Sequence, residues 1–453
     1  MQENEGILWK KANEMFGKPR QQWKTVDEMI YGVDNYYNTA KDSYKIRNKS
    51  IIEAFDFHYK NNLFYNQFCK HRKLSPSNIK SENDFHKIPM IPDSFFKDYP
   101  SENPMDVYNW LYQVSSVEIG KFDFKGKKLQ NFLEWAERRL KGIVLHSSGT
   151  SGKFSIMFRD SDTMKRLFHI LIKLVMFHIT KPVSDDIHFV YPGTPKTYLA
   201  MGHALGTASQ IFDDEHKHFL TDRSLNMEIV RLMSSGKAEG LKQKLELALL
   251  IKAMAKGQYT LLNLLQNLEK NKKQIVLISF PFQVWDLMDI MDKKGIKFNL
   301  GDTNSFMATA GGWKIYSHKK VTEEEFARRV EKMFGIPKEN YRDAYGMSEM
   351  NGLALSCEER YKHLTDWIYP MVLDDEMEPL GFGEWGRFAF LDPAGYGYPG
   401  FIMSGDKVRL LEKCPKCNKT GIVLDSEIKR IGGAEARGCG NLMRNLLAEK
   451  LTS

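Results

Sequence analysis

The amino-acid sequence predicts an α/β protein: a large domain of mostly parallel strands flanked by helices, with a helical N-terminal region and a shortened, β-rich C-terminal part. From about residue 140, short apolar runs alternate with amphipathic, helix-like stretches, which is typical of strand–helix–strand units. The chain has 453 residues, of which 42% are hydrophobic and 27% charged, so it can bury a large core. Fibrous and fully disordered classes of protein are therefore excluded.

The N-terminal region is predicted to be helical over 1–130 and to pack on the core. Ile51 and Phe55, then Phe64 and Phe68, recur at a spacing that places them on one helical face. The predicted core covers 131–405, with strands at 142–146, 187–191 and 274–280, and helices at 161–179, 284–291 and 323–333.

The remaining segments carry two further expectations. The lysine-rich and leucine-rich stretch over 214–275 is expected to be a helical insert without catalytic residues. After about residue 384 the texture becomes rich in strands and turns. The strands predicted there span 386–391, 400–403 and 408–411, and the C-terminal segment is predicted over 406–453.

Charge and cysteine content restrict the partners. The net charge of +8, from 65 Lys and Arg against 57 Asp and Glu, permits an anionic small ligand such as a nucleotide without requiring nucleic acid. Five cysteines are too few and too unevenly spaced for a disulfide framework. The most apolar stretch, 167–179, is shorter than the roughly 20 residues that span a bilayer. We expect a cytoplasmic protein without a membrane span.

A loop rich in hydroxyl groups directly follows the first predicted core strand. It consists of Ser147, Ser148, Gly149, Thr150, Ser151, Gly152 and Lys153. Its hydroxyls, backbone N–H groups and lysine are the groups that cradle phosphate oxygens. It is not a Walker A loop, because two residues rather than four separate its glycines. The alternative is a flexible Ser/Gly turn.

Three further motifs follow in order. Gly311 and Gly312 end a strand-like run where a flat ring can approach the backbone. Tyr345 and Gly346 precede Glu349, whose carboxylate is a natural Mg²⁺ ligand beside a nucleotide phosphate. Asp406, in a Ser-Gly-Asp turn, is suited to hydrogen-bond a ribose diol. Each motif alone usually just ends a strand, but their order favours a nucleotide site.

Together these motifs resemble those of the adenylate-forming enzyme superfamily, which activates carboxylic acids as acyl-AMP. Within it, the chain is most similar to the acyl-protein synthetases, the ligase component of the bacterial bioluminescence fatty-acid reductase. The supporting segments are Ile88-Pro-Met-Ile-Pro-Asp-Ser-Phe-Phe-Lys97, Gly311-Gly-Trp-Lys314 and Ala436-Arg-Gly-Cys439. The resemblance extends over about residues 50 to 440.

The resemblance implies ATP and Mg²⁺ as cofactors and a role for each motif. The loop from Ser147 to Lys153 would hold the ATP phosphates, with Lys153 as a catalytic residue. Glu349 would be catalytic by binding Mg²⁺. Gly311, Gly312 and the Tyr345–Gly346 turn would hold the adenine, and Asp406 the ribose hydroxyls. Little covalent chemistry by the protein is needed, because positioning and charge neutralisation dominate such a reaction.

Cys439 is the candidate acyl acceptor, because acyl-protein synthetases pass the acyl group to a cysteine near the C-terminus. Arg437 and a helix predicted just after Cys439 would favour the thiolate; the alternative is a small buried cysteine. The implied function is ATP-dependent activation of a long-chain fatty acid, transfer to Cys439 and delivery to an acyl-reductase partner.

An acyl- or aryl-CoA ligase of the phenylacetate type is the main alternative. Many adenylate-forming enzymes have a C-terminal domain with a catalytic lysine near its end, whereas 47 residues follow Asp406 in this chain. We expect that domain to be shortened or missing, which favours a protein thiol over coenzyme A.

The Cys414-Pro-Lys-Cys417 motif predicts a knuckle-like turn. Zinc there would require two more ligands, which Cys357, His363 or Cys439 could supply in space. The alternatives are a structural turn and a redox pair. A zinc-knuckle module that binds nucleic acid is a remote alternative for the whole protein.

Overall fold

The computed structural model describes residues 6–33, 36, 41–149, 153–178, 183–235, 240–313, 319–417 and 419–431. The helices are α1 (Ile7–Phe16), α2 (Thr25–Ile30), α3 (Lys41–Asn61), α4 (Leu63–His71), α5 (Pro104–Val114), α6 (Leu129–Arg139), α7 (Ser161–His178), α8 (Ala200–Ala208), α9 (Met227–Ser235), α10 (Gly240–Lys270), α11 (Pro281–Lys294) and α12 (Glu323–Phe334).

The strands alternate with these helices in the middle of the chain and follow one another near its end. They are β1 (Ile91–Pro92), β2 (Gly142–His146), β3 (Ile156–Asp160), β4 (His188–Tyr191), β5 (Lys217–Phe219), β6 (Ile275–Ser279), β7 (Phe306–Ala310), β8 (Tyr341–Tyr345), β9 (Ala354–Ser356), β10 (Lys362–Leu364), β11 (Tyr369–Leu373), β12 (Trp385–Leu391), β13 (Phe401–Leu411), β14 (Val423–Leu424) and β15 (Lys429–Arg430).

One large sheet organises the molecule, in the order β11-β12-β13-β14-β10-β9-β8-β7-β6-β4-β5. The pairs β5–β4, β4–β6, β6–β7 and β7–β8 are parallel, and the pairs from β8 to β11 along the sheet are antiparallel. β1 and β15 pair with β13, and β2 and β3 form a separate hairpin. The sheet therefore divides into a parallel half and an antiparallel half.

Neighbouring residues of the parallel strands serve two different cores, because successive side chains of a strand point to opposite faces. Val276 of β6 belongs to the core that contains α1, α7 and α8. Ile275 and Leu277 belong to the core formed with α10, α11 and α12. Both faces of the parallel half are thus covered, as such sheets require.

The ends of α12 illustrate how local sequence sets an element. The Thr322 side chain accepts a hydrogen bond from the Glu325 N–H at 3.2 Å, and acidic residues fill the first turn. Gly335 ends the helix with a φ of +65°. Hydroxyl caps and acidic first turns stabilise helix N-termini, and a left-handed glycine is a common C-terminal stop.

α7 is a helix of the protein core. Its Lys173 is buried, and Nζ donates to the carbonyl groups of Ile30 at 2.8 Å and Val33 at 2.6 Å. Among the described ranges, the helices lack the combination of length and apolar character that crossing a bilayer demands. The apolar run noted in the sequence is therefore explained by packing.

Three expectations about elements need correction. β3, which pairs with β2, was missed, so the serine-rich loop joins two strands of a hairpin. The 214–275 segment holds α9 and α10 but also β5, which extends the parallel sheet. The runs at 400–403 and 408–411 form one strand, β13, so Asp406 lies within a strand and not in a turn. The division at residues 130 and 405 stays a prediction.

Candidate active site

The carboxyl ends of β7 and β8 place the two glycines and the tyrosine together. Ala310 pairs in parallel register with Ala344, so Gly311 and Tyr345 extend from the same edge of the sheet. Gly311 and Gly312 have φ values of +83° and +67°. Ligands of parallel sheets bind at this edge. A side chain at Gly312 would meet open space, so a flat ring can lie against the backbone there.

Tyr345 and Asp406 are in direct contact. The Tyr345 hydroxyl donates to Asp406 Oδ2 at 2.7 Å, and Arg430 Nε lies 3.1 Å from Oδ1. Asp406 emerges from an irregularity where the strand register shifts opposite Phe388. Burial raises the pKa of Asp406 above its usual value. The residues expected to hold the adenine and the ribose are thus brought together, and Arg430 joins them.

Glu349 is a buried carboxyl group, with 5% of its surface exposed. Burial raises the pKa of Glu349 to about 7, and the negative charge of Asp93 adds to this shift. The positive charge of Lys97 opposes the shift only in part. Asp93 also influences the pKa of Asp406 in the same direction. Asp93 therefore lies within electrostatic reach of both Glu349 and Asp406, and carboxylate oxygens are the ligands that a divalent cation such as Mg²⁺ prefers.

Asp93 reaches the site through strand pairing. Parallel β1 sets Pro92 opposite Met403 of β13, and the next residue, Asp93, accepts from the Gly405 N–H at Oδ2 over 3.1 Å. The segment from Ile88 to Lys97 supported the family resemblance, but Asp93 received no role. Its position 312 residues before Gly405 gives no local signal in the sequence.

A set of buried hydrogen bonds holds the loop that carries Glu349. Arg159 of β3 contacts the Ser348 carbonyl and the Asn351 side chain, and its Nη2 donates to the Met350 carbonyl at 3.1 Å. The Tyr398 hydroxyl donates to the Glu349 carbonyl at 3.2 Å. These contacts fix the backbone on both sides of the carboxylate. Neither Arg159 nor Tyr398 lies in a motif that would have marked it in the sequence.

The base of the serine-rich loop closes on Glu349. The Ser147 N–H donates to the Ser155 carbonyl at 3.0 Å, and the Ser155 N–H donates to the Ser147 hydroxyl at 2.9 Å. The Ser155 hydroxyl in turn hydrogen-bonds to Glu349. Ser148 and Gly149 continue from this base, Gly149 with a φ of +65°. Thr150, Ser151 and Gly152 lie outside the described residues.

Lys153 is held by a neighbouring aromatic residue. Its Nζ donates to the Tyr99 carbonyl at 2.6 Å and lies 3.9 Å from the centre of the Tyr99 ring. Burial lowers the pKa of Lys153 below its usual value. The catalytic role of Lys153 stays a prediction, since its ammonium is bound by Tyr99 in this structure.

A buried cluster of charged side chains surrounds Asp343 of β8. Lys362 of β10 lies 2.8 Å from Glu323 of α12 and 2.7 Å from Asp343 of β8. The Thr309 hydroxyl of β7 donates to the other oxygen of Asp343 at 2.7 Å. Three strands and one helix are thereby tied together next to Tyr345.

Three of the five cysteines lie together with a histidine, and Cys69 is buried in α4. Cys414 and Cys417 lie beside Cys357 and His363, with 4.0 Å between the sulfurs of Cys357 and Cys414. The Cys417 sulfur is 3.2 Å from His363 Nε2. Cys439, the candidate acyl acceptor, lies outside the described residues.

Two relatives are similar over almost their whole length. The long-chain-fatty-acid–luciferin-component ligase of Aliivibrio fischeri is 23% identical over 428 residues, which cover 94% of this chain and 95% of that one. The enzyme of the same name from Vibrio harveyi is 21% identical over 427 residues, covering 94% of each chain.

Solved structures confirm the expected fold class. A 2-hydroxyisobutyryl-CoA ligase in the postadenylation state superimposes with a TM-score of 0.54 over 91% of this chain and 73% of that one, at 14% identity. Its open conformation gives a TM-score of 0.52 over 88% and 81%, also at 14% identity. At this identity the similarity is one of fold.

The family expected from the motifs is confirmed as well. The family model described as "Acyl-protein synthetase, LuxE" matches residues 21–103 and 254–448, which is more than half of the chain. The match includes β7 and β8 with Gly311, Tyr345 and Glu349, and β13 with Asp406. The chain belongs to the LuxE acyl-protein synthetase family.

Proposed function

We propose that this acyl-protein synthetase uses ATP to activate a long-chain fatty acid as acyl-AMP and then transfers the acyl group to the thiol of Cys439. The observation that carries the proposal is the convergence of Gly311, Tyr345, Glu349 and Asp406 on one edge of the sheet, next to the base of the serine-rich loop. The relatives' names state a fatty-acid ligase activity for those proteins.

Different residues at this edge of the sheet would bind the adenine, the ribose and the phosphates of the nucleotide. The adenine would lie between the Gly311–Gly312 backbone and the Tyr345 ring, and the Asp406 carboxylate would accept hydrogen bonds from the ribose hydroxyls. The loop from Ser147 to Lys153 would donate its N–H groups and hydroxyls to the phosphates. These contacts hold the α-phosphorus in place for attack, which supplies much of the rate in such a reaction.

The fit of a magnesium ion is supported by the buried carboxyl group of Glu349, whose pKa is raised by burial and by the negative charge of Asp93, since a bound cation would stabilise the carboxylate. Glu349 would hold the ion, with Asp93 within its electrostatic reach. Bound there, Mg²⁺ would offset the negative charge on the phosphate oxygens. Arg159 and Tyr398 keep the Glu349 backbone in place for this task.

The proposed reaction has two steps, adenylation and acyl transfer. An oxygen of the fatty-acid carboxylate bonds to the α-phosphorus, the bond from that phosphorus to the bridging oxygen breaks, and pyrophosphate leaves. The thiolate sulfur of Cys439 then bonds to the acyl carbon, and AMP leaves with the oxygen it shared. The product is a thioester, which is a suitable substrate for an acyl-reductase partner.

The primary experiment is fatty-acid-dependent exchange of labelled pyrophosphate into ATP, followed by detection of acyl groups bound to the chain. With Cys439→Ser, we expect exchange at the wild-type rate and loss of the thioester. Cys69→Ala is the matched control and should retain both, because Cys69 lies buried in α4. A thioester that persists in Cys439→Ser would exclude Cys439 as the acceptor.

The same assay separates the alternative. Formation of acyl-CoA or aryl-CoA without dependence on Cys439 would identify a CoA ligase. A panel of acids from aryl to long-chain fatty acids identifies the substrate class. If no acid supports exchange in the presence of Mg²⁺ and a reductase partner, the proposed activation step is wrong.

A further inference from the structure

Three thiols and an imidazole meet at a place remote from the nucleotide edge. Cys357 follows β9, His363 belongs to β10, and Cys414 and Cys417 lie in the connection from β13 to β14. One ligand atom of each side chain lies within 4.8 Å of all the others. These residues are separated by up to 60 positions, so only the fold assembles them.

The spacing of these atoms is within about half an ångström of that in a tetrahedral metal site. With Zn–S distances of about 2.3 Å and Zn–N distances of about 2.0 Å, tetrahedral ligand atoms lie roughly 3.5–3.8 Å apart. The Cys357 and Cys414 sulfurs are 4.0 Å apart, and Cys417 Sγ lies 3.2 Å from His363 Nε2. We propose that Cys357, His363, Cys414 and Cys417 bind a structural zinc ion.

Backbone hydrogen bonds to the sulfurs are a second, independent observation. The Cys417 N–H donates to Cys414 Sγ at 3.4 Å, and the Glu359 and Tyr361 N–H groups donate to Cys357. Such bonds orient metal-binding sulfurs and stabilise their negative charge. Neutral buried thiols gain much less from such hydrogen bonds, because they carry no negative charge.

A disulfide explains the arrangement less well. A disulfide between Cys357 and Cys414 would shorten the sulfur separation from 4.0 Å to about 2.05 Å. It would not account for the position of Cys417 and His363 beside these two cysteines. Four protein ligands also leave no open position for a substrate, which is typical of a structural and not a catalytic zinc.

A second group of donors shows the contrast. Asp186, His188 and His216 also lie close enough to share an ion. There the Asp186 carboxylate is already bound by Lys273, and His188 Nδ1 contacts His218 Nε2 at 2.9 Å. Since its one anionic donor is neutralised by an ammonium group, we assign no metal to it.

The zinc would join the end of β9 and strand β10 to the connection between β13 and β14. β14 has two residues, and it pairs with β10 on one side and with β13 on the other. β13 carries Asp406, whereas β8, two strands beyond β10, carries Tyr345. The apolar cluster at this junction consists of Cys357, Cys414 and Val423 with a few partly buried neighbours. Because so small an apolar core contributes little to stability, the bound metal would be the main stabilising contact at this junction.

The test is the metal content of the full chain, purified without added metal. We expect about one zinc ion per chain, and less than about 0.2 in C414S and C417S. Cys69→Ala is the matched control and should keep its zinc, because α4 is remote in sequence and has no part in the cluster. Zinc-free wild-type protein, or full zinc content in both serine variants, would overturn the proposal.

Two further measurements cover variants that fail to fold. Cobalt substitution of the wild-type chain should give the sulfur-to-metal charge-transfer bands and the d–d absorption of a tetrahedral site with three thiolates and one imidazole. An octahedral cobalt spectrum, or a Cys357–Cys414 disulfide identified by peptide mapping, would contradict the assignment. After removal of the metal by a chelator, amide hydrogen exchange should accelerate in β10 and β14 and stay unchanged in β6. Equal exchange rates in β10 and β14 before and after chelation would contradict a stabilising role of the metal at this junction.

Discussion

At the scale of single residues, Glu349 is a buried carboxyl group close to a second negative charge, that of Asp93. Its carboxyl group has 5% of its surface exposed, and burial with the nearby charge of Asp93 raises its pKa to about 7. In the folded protein without metal, the proton therefore stays on Glu349 to a higher pH than in the unfolded chain. Under the proposed role of Glu349, binding of Mg²⁺ would release that proton.

This pKa sets the pH dependence of magnesium binding. The affinity for Mg²⁺ should fall about tenfold for each pH unit below about 7, and should level off above it, because only the carboxylate binds the ion. Titration of Mg²⁺ into the protein at several pH values, followed by calorimetry, checks this. Glu349→Gln should bind weakly without that pH dependence, and should cut adenylation by orders of magnitude.

The same variant tests the sign of the linkage to stability. The raised pKa means that, between the ordinary carboxyl value and about 7, the folded state holds more protons than the unfolded state. The contribution of Glu349 to the free energy of unfolding of the metal-free protein should therefore fall as pH rises through this interval. The free energy of unfolding of wild type relative to Glu349→Gln should show this fall, because the buried histidines, whose lowered pKa values act in the opposite direction, are common to both proteins. Parallel pH profiles of the two proteins would argue against a buried carboxyl group.

At the scale of elements, the β2–β3 hairpin does more than present the serine-rich loop. Arg159 of β3, which is 2% exposed, reaches across to the segment from Ser348 to Asn351 and holds it at several points. The hairpin thus connects the loop expected to bind phosphates with the carboxylate expected to bind magnesium. Arg159 is a positioning residue for Glu349.

Arg159→Met should reduce the free energy of unfolding by about 2–4 kcal/mol, because buried carbonyl groups lose their donors. Urea denaturation measures this loss, and pyrophosphate exchange should slow while the apparent magnesium affinity weakens. Arg159→Lys should restore only part of both, since an ammonium cannot donate in the planar fork of a guanidinium.

Arg138→Met is the control for this pair of variants. Arg138 lies exposed on α6 and donates to the Glu134 carbonyl at 3.1 Å. Its replacement should change neither stability nor magnesium affinity. If Arg159→Met weakens stability but leaves the magnesium affinity at the wild-type value, Arg159 supports the fold without positioning Glu349.

At the scale of the whole molecule, a buried ion pair joins the N-terminal helices to the core. Arg166 of α7 binds Asp27 of α2 with two hydrogen bonds of 2.6 and 2.9 Å, and both side chains are fully buried. Burial alone would raise the pKa of Asp27, but the guanidinium overcomes this and lowers it. The pair therefore stabilises the fold at neutral pH and loses this effect once acid protonates Asp27.

Asp27→Asn should lower the free energy of unfolding by about 3–5 kcal/mol, because the Arg166 charge stays buried without its partner. Chemical denaturation at neutral pH measures the loss, and the difference from wild type should shrink in acid. The exposed pair of Lys11 and Asp213 provides the control: Asp213→Asn should leave stability unchanged. Equal effects of the two variants would contradict the role given to burial.

Much of the site was predictable because local sequence patterns mark the ends of parallel strands. The run before Gly311 and the run before Gly346 each end a strand, and parallel strands bring their carboxyl ends to one edge. The expected proximity of Gly311 and Tyr345 follows from this rule, whereas Asp406 lies within the antiparallel strand β13 and meets Tyr345 only through the tertiary fold. The role of Cys439 stays a prediction, because that residue lies outside the described part of the chain.

The fold class, the family and the order of the nucleotide motifs can be inferred from the sequence alone, since these depend on hydrophobic periodicity and on short segments. The folded chain is needed to see which residues join them: Asp93 near Glu349, Arg159 bound to the loop that carries Glu349, and Cys357 and His363 next to the Cys414–Cys417 turn. These partners are tens to hundreds of residues apart along the chain. Their meeting depends on strand pairing and packing over the whole molecule, which leaves no local pattern to detect.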